Sequence, residues 1–200
     1  MKLYFIRHGE SEANLQHVIS NYGSAFGLTD HGKQQVQELA ERLNDLDVSM
    51  MFSSPVLRAM DTADILYQTL GLPYRVHEAL REYNCGILEG KSDEESWRQH
   101  RHYYEEWTLH HNYDSKPEGG ESFVDIQNRF VPFIESFKRD DHEEVLLVGH
   151  GGIFHLMLPL VLTNVDDQFV QTHNIGNAEY VIADLQADRF KCLQWGDVKF

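Results

Sequence analysis

Cysteine is scarce in this 200-residue chain, and its two copies, Cys85 and Cys192, are too few for a disulfide framework. Long apolar runs are missing as well. None approaches the roughly 18 residues of a membrane span, which excludes a helical membrane protein. Positive charge is short: 17 Lys+Arg against 32 Asp+Glu leave a formal net charge of −15, which 12 histidines offset only in acid. That balance excludes the basic footprint of a nucleic-acid or anionic-membrane binder. No charged, apolar and small-residue leader precedes Met1-Lys2-Leu3-Tyr4-Phe5-Ile6, so the expectation is a reduced, cytoplasmic protein.

What is present is an ordinary globular composition, 42% hydrophobic, 24% charged and 12% aromatic, which rules out collagenous, low-complexity and disordered chains. The length suits one domain, 1–200, burying about 70% of its unfolded surface. Short apolar runs at Lys2–Ile6, Met50–Phe52 and Glu144–Gly149 read as buried strands, with Tyr74–His77 as another. Between them lie amphipathic helices. One is capped by Thr29, with Val36, Leu39, Ala40, Leu43 and Leu46 on one face. A second follows Ser53-Ser54-Pro55, read as a cap with proline at the first helical position, and ends at Gly71. A third carries Phe123, Ile126, Phe130 and Ile134, with a kink or break expected at Pro132. Ile153–Leu162 reads as a helix and Tyr180–Leu185 with Phe190–Trp195 as a closing strand pair. Alternating strands and helices predict an α/β fold around a mostly parallel sheet.

Residues 87–120 interrupt the pattern with Glu, His, Arg, Tyr and Trp. Ser92 and Glu95 spell a capping box, so a helix through Trp97–Trp107 is expected, an insertion covering one rim of the core. Its histidines, His100, His102, His110 and His111, lack the spacing of a metal site and read as a solvated polar face. Its aromatics read as packing against the core, with room for one at a substrate entrance.

Ligands of open α/β sheets bind at the carboxyl ends of strands. The residues there are Arg7 and His8, Arg58, Glu82 and His150, a small cationic cluster on an acidic protein. Guanidiniums hold phosphoryl oxygens bidentately, and Gly9 removes a side chain where backbone approaches a ligand. A neutral histidine attacks phosphorus, and His8, beside Arg7 in a tight turn, is the candidate nucleophile. Glu82 is the candidate acid for the departing alkoxide, ahead of Glu78 and Glu89, and His150 the group that stabilises charge on the phosphoryl oxygens. Cys85 reads as a plain loop cysteine, with no activating base beside it.

Arg7-His8-Gly9-Glu10-Ser11 with Asn14, Leu28-Thr29-x-x-Gly32, Ser53-Ser54-Pro55-x-x-Arg58-Ala59-x-x-Thr62-Ala63, Leu80-x-Glu82 with Gly86 and Glu89-Gly90, Glu118-Gly119-Gly120-Glu121-Ser122 and Val148-Gly149-His150-Gly151-Gly152 stand in that order. Together they resemble the histidine phosphatase superfamily, the phosphoglycerate mutase-like clan. The resemblance implies a three-layer α/β/α sandwich with a mostly parallel sheet and a helical insertion over the active-site rim. It implies a phosphohistidine on His8, a phosphate pocket of Arg7, Arg58 and His150, and Glu82 as proton donor and then base. It further implies Asn14 and the Gly151 amide as phosphate contacts, Ser20 and Asn21 as substrate-loop positions, and neither metal nor organic cofactor.

The expected activity is thus metal-independent hydrolysis of a small phosphorylated metabolite by a monomer or homodimer, with the metabolite left open. A phosphoglycerate mutase is the alternative, demoted because Ala13 stands where mutases of the clan carry Trp and because the insertion offers only Arg98 and Arg101. A non-catalytic phospho-ligand binding module is the other, and it would require a defect in the constellation.

Overall fold

A computed structural model describes residues 1–23, 25–139 and 142–200. In chain order the elements are β1 (Lys2–Arg7), α1 (Glu12–Leu15), α2 (Asp30–Leu43), β2 (Met50–Ser53), α3 (Leu57–Leu70), β3 (Tyr74–Val76), α4 (Glu94–Thr108), α5 (Phe123–Ser136), β4 (Glu144–Gly149), α6 (Gly151–Val161), α7 (Asp167–Thr172), β5 (Tyr180–Gln186), β6 (Arg189–Trp195) and β7 (Val198–Lys199). The strands form one sheet in the order β3-β2-β4-β1-β5-β6-β7. Pairings from β3 to β1 are parallel, and those from β1 to β7 antiparallel.

Period-two alternation in the central strands makes the layers. Tyr4, Ile6, Leu146 and Val148 face α2 and α3, meeting Val36, Leu39, Ala59 and Ala63. Leu3, Phe5, Val145 and Leu147 face the other way, onto Ile126, Phe130 and Ile134 of α5 and Ile153, Phe154 and Met157 of α6. Trp107 of α4 is buried in that second cluster, and Trp97, Tyr103 and Tyr104 pack on its edge. No helix among the described residues is long and apolar enough to cross a membrane.

Several local expectations give way to neighbouring chemistry. Helix α3 starts at Leu57 with Val56 as its N-cap, not at Pro55; the Ser54 hydroxyl accepts from the Val56 amide at 3.2 Å and also pairs with His150. Asp93, not Ser92, caps α4, accepting from the Ser96 amide and hydroxyl. Helix α2 stops at Leu43, and Leu46 packs on the cluster from beyond its end. Helix α5 runs through Pro132 unbroken, its stripe of Ile126, Phe130 and Ile134 fully buried. The β5–β6 hairpin turns on Ala187 and Asp188, both left-handed (φ 47° and 67°), as a two-residue turn matched to strand twist requires.

The topology positions the site. From β1 the chain crosses to β2 on one side, whereas from β4 it crosses to β5 on the other, so a crevice opens at the carboxyl ends of β1 and β4. Those strands pair with Arg7 opposite Gly149, and the His8 amide donates to the Gly149 carbonyl at 3.1 Å. Register therefore sets Arg7-His8 directly beside His150-Gly151.

Candidate active site

A cavity of about 600 Å³ opens at this crevice. Arg7, His8, Asn14, Ser20, Asn21, Arg58, Glu82 and Gly151 all contribute to its wall, as anticipated from sequence. His150 does not. It is fully buried behind the wall, its ring edge-on to His8 with centroids 5.2 Å apart.

His8 is 3% exposed, at the cavity floor and not at an open rim. Its Nδ1 lies 2.7 Å from the Gly9 carbonyl, which can only accept, and its Nε2 lies 2.9 Å from Arg58 Nε, which can only donate. These partners dictate one species: a neutral imidazole with the proton on Nδ1 and the lone pair on Nε2. Burial, then Arg58 and Arg7, hold the pKa of His8 well below the ordinary histidine value. Gly9 serves a different purpose from the one expected. A Cβ there would lie 2.5 Å from the Gly32 carbonyl, so the glycine admits the first turn of α2 against the end of β1.

Arg7 donates Nη1 to the Ile175 carbonyl at 2.7 Å, while its Nε and Arg58 Nη1 are buried with no protein partner. Burial lowers Arg58 to about 10, still charged at neutral pH. Buried cationic N–H groups without acceptors are costly, and a site that keeps two of them is built for an incoming anion. Asn14 accepts from the Ser11 amide and hydroxyl through Oδ1, which leaves its amide donors free. His150 Nε2 pairs with the Ser54 hydroxyl at 2.7 Å, and its Nδ1 is buried without a partner.

Glu82 is 7% exposed. Its Oε2 accepts from the Gly152 amide at 2.9 Å and its Oε1 from the Tyr83 amide at 3.2 Å, yet burial outweighs these bonds and raises the carboxyl pKa. A Cβ on residue 152 would stand 2.7 Å from Oε2, so Gly152 makes this approach possible. The segment carrying Glu82 is held by Arg129 of α5, which donates to the carbonyls of Ala79 and Arg81 at 3.0 and 2.9 Å while paired with Glu121. The rival carboxylates are engaged elsewhere. Glu78 pairs with Arg81, and Glu89 accepts from the Asn21, Tyr22 and Cys85 amides. Cys85 is buried, which pushes its thiol up, and its Sγ lies against the Asn21 amide and the Tyr83 carbonyl.

The insertion supplies one wall, where sequence left room for a single aromatic. Trp97, His100 and Tyr104 of α4 line the cavity, spaced as one helical face. His100 is therefore not on a solvated face, as expected; it hydrogen-bonds the Tyr83 hydroxyl at 3.0 Å, and burial lowers it to about 4. His102, His110 and His111 are exposed, and no group of three His, Cys, Asp or Glu placed to hold a metal ion occurs among the described residues. Tyr83, His155, Gln171, Asn174 and Ile175 also line the cavity.

Burial of neutral imidazoles carries a pH signature. His8, His77, His100, His150 and His155 are depressed in the fold and take up protons once unfolded below the ordinary value of 6.5, while Glu82, raised in the fold, opposes them by one. Unfolding then binds net protons, and stability should fall as pH drops from 6.5 towards 5, by about 1.4 kcal/mol per pH unit for each net proton taken up. Urea titrations at pH 7, 6 and 5 check this, and a flat profile would contradict the neutral imidazoles.

The histidine phosphatase superfamily (branch 1) matches residues 3–198. Mouse 6-phosphofructo-2-kinase/fructose-2,6-bisphosphatase 1 is 32% identical over 83% of this chain, which spans only 34% of that protein. A Proteus mirabilis protein described as a probable phosphoglycerate mutase is 30% identical, covering 81% of this chain and 75% of its own. A mycobacterial glucosyl-3-phosphoglycerate phosphatase, solved in complex with VO3, superposes with a TM-score of 0.84 at 25% identity, covering 98% of this chain and 99% of its own. With a family match spanning nearly every residue and the fold shared, the chain belongs to branch 1 of the histidine phosphatase superfamily.

Proposed function

We propose that this protein is a phosphomonoester hydrolase acting through a phosphohistidine on His8. The observation that carries the reading is the Nδ1-protonated His8, its Nε2 lone pair set against Arg58 beside a second guanidinium. A phosphoryl group displaces Arg58 from Nε2 and takes the unpartnered guanidinium donors and the free Asn14 amide as its ligands, with His150 buried directly behind His8. The Nε2–P bond forms as the P–O bond to the leaving alcohol breaks. Glu82, whose carboxyl pKa burial raises, gives its proton to that oxygen. Glu82, now a carboxylate, then removes a proton from water that attacks phosphorus, breaking the N–P bond and restoring His8 and the acid. The two arginines supply the positive charge that phosphoryl transfer needs, so no step in this scheme calls for a metal.

Hydrolysis of p-nitrophenyl phosphate in excess EDTA tests the reading. Turnover that survives the chelator is the expected result; its loss, restored by a divalent cation, would overturn it. Incubation with 3-phosphoglycerate and a bisphosphate primer should yield inorganic phosphate and no 2-phosphoglycerate, whereas interconversion would make the protein a mutase.

A further inference from the structure

Away from the reacting end the cavity carries no charge. Arg7 and Arg58 are the only Lys or Arg side chains among the described residues that line it, and Glu82 the only carboxylate. Of the cations near it, Arg81 pairs with Glu78, Arg98 with Glu95 and Arg129 with Glu121, and Arg101, which acts on His100, is exposed and not part of the lining. The two lining imidazoles add no charge near neutrality. His100 is depressed, as described, and His155 is also lowered by burial, its ring held between the Tyr104 hydroxyl and the Val170 carbonyl.

Two guanidiniums match one dianionic phosphoryl group. A second phosphate or a carboxylate on the same substrate would lie against Tyr83, Trp97 and Tyr104 with no cation to pair it, in a protein of net charge −15. Neutral hydrogen-bonding groups are available instead. The side chains of Gln171 and Asn174 at the mouth, and the buried hydroxyl of Ser20, have no protein partner. An amide offers both donor and acceptor, the complement of a hydroxyl.

Resting on the hydrolase reading above, we infer that the substrate carries a single anionic group, the scissile phosphate, on an uncharged, hydroxyl-bearing body that lies along the aromatic face of α4. Bisphosphates and phosphoglycerates are poor fits. The preference is set by the cations the wall lacks, so a cation placed at the mouth should change it.

The test measures inhibition of p-nitrophenyl phosphate turnover by glycerol 3-phosphate and by 3-phosphoglycerate, which differ at the far end only in CH2OH against carboxylate. Glycerol 3-phosphate should have a Ki at least about tenfold lower, as expected where one ligand leaves a charge unpaired. Gln171→Lys and Asn174→Lys, both at exposed positions, should narrow or invert that ratio. Tighter or equal inhibition by 3-phosphoglycerate in the wild type, or a ratio unmoved by either lysine, would overturn the inference with the hydrolase reading intact. Absence of any p-nitrophenyl phosphate turnover would remove the hydrolase reading, and this inference with it.

Discussion

His8→Ala is expected to lower kcat for p-nitrophenyl phosphate by at least about 10⁴-fold, because it deletes the only group proposed to bond to phosphorus, and such deletions remove most of the chemistry. The protein should otherwise stay close to its native state. The imidazole is neutral and makes two hydrogen bonds, to Gly9 and Arg58, worth about 1 kcal/mol each. The space it leaves opens onto an existing cavity, where water can reach Arg58 Nε. A fall of a few degrees in melting temperature and near-complete loss of turnover is thus the predicted pair. The covalent step has its own readout. Wild-type enzyme denatured in alkali during turnover of a 32P-labelled substrate should retain label, and the variant none. A variant keeping more than a hundredth of the wild-type rate would mean that another group attacks phosphorus.

The grouping of the candidate site residues was legible in the sequence because its parts are local. Arg7-His8 and Gly149-His150 each follow a short apolar strand, and strand ends are where α/β sheets bind ligands. The parallel layers followed from strand and helix periodicities alone. What escaped depends on contacts between distant segments. Arg7 is anchored by Ile175, 168 residues away, from a stretch between α7 and β5 with no pattern of its own. Ser54 looks like a helix cap, yet its hydroxyl bonds the Val56 amide and His150 of the segment after β4, and the cap position falls to Val56. Gly9 resembles a ligand-approach glycine, yet its neighbour is Gly32 at the start of α2. For α4 an aromatic at the entrance was anticipated, but counting imidazole as polar put His100 on a solvated face, and only the Tyr83 hydroxyl shows why a histidine belongs beside Trp97 and Tyr104.

Glu82→Gln should separate substrates by their leaving groups. The carboxyl is proposed to protonate the departing oxygen, a service an alkoxide cannot do without and p-nitrophenolate barely needs. Expected losses in kcat/KM are about 10²- to 10⁴-fold for an alkyl phosphate such as glycerol 3-phosphate and under about tenfold for p-nitrophenyl phosphate. Trapping in alkali should then catch more phosphoenzyme with the aryl substrate, because the same change removes the base that activates water. The pH profile carries the same signature. The donor is the protonated acid, its pKa raised above the ordinary 4.5 by burial, so wild-type activity on alkyl phosphates falls as pH rises through the folded-state value. The amide has no proton to lose, and the variant's small residual rate should not show that limb. Gln retains one acceptor for the Gly152 amide but sets its NH2 against the Tyr83 amide, at a cost of about 1–3 kcal/mol, so the variant's folding is checked by thermal melting alongside its kinetics. Equal loss on aryl and alkyl phosphates in a folded variant would assign Glu82 to holding the site together, leaving the proton to come from elsewhere.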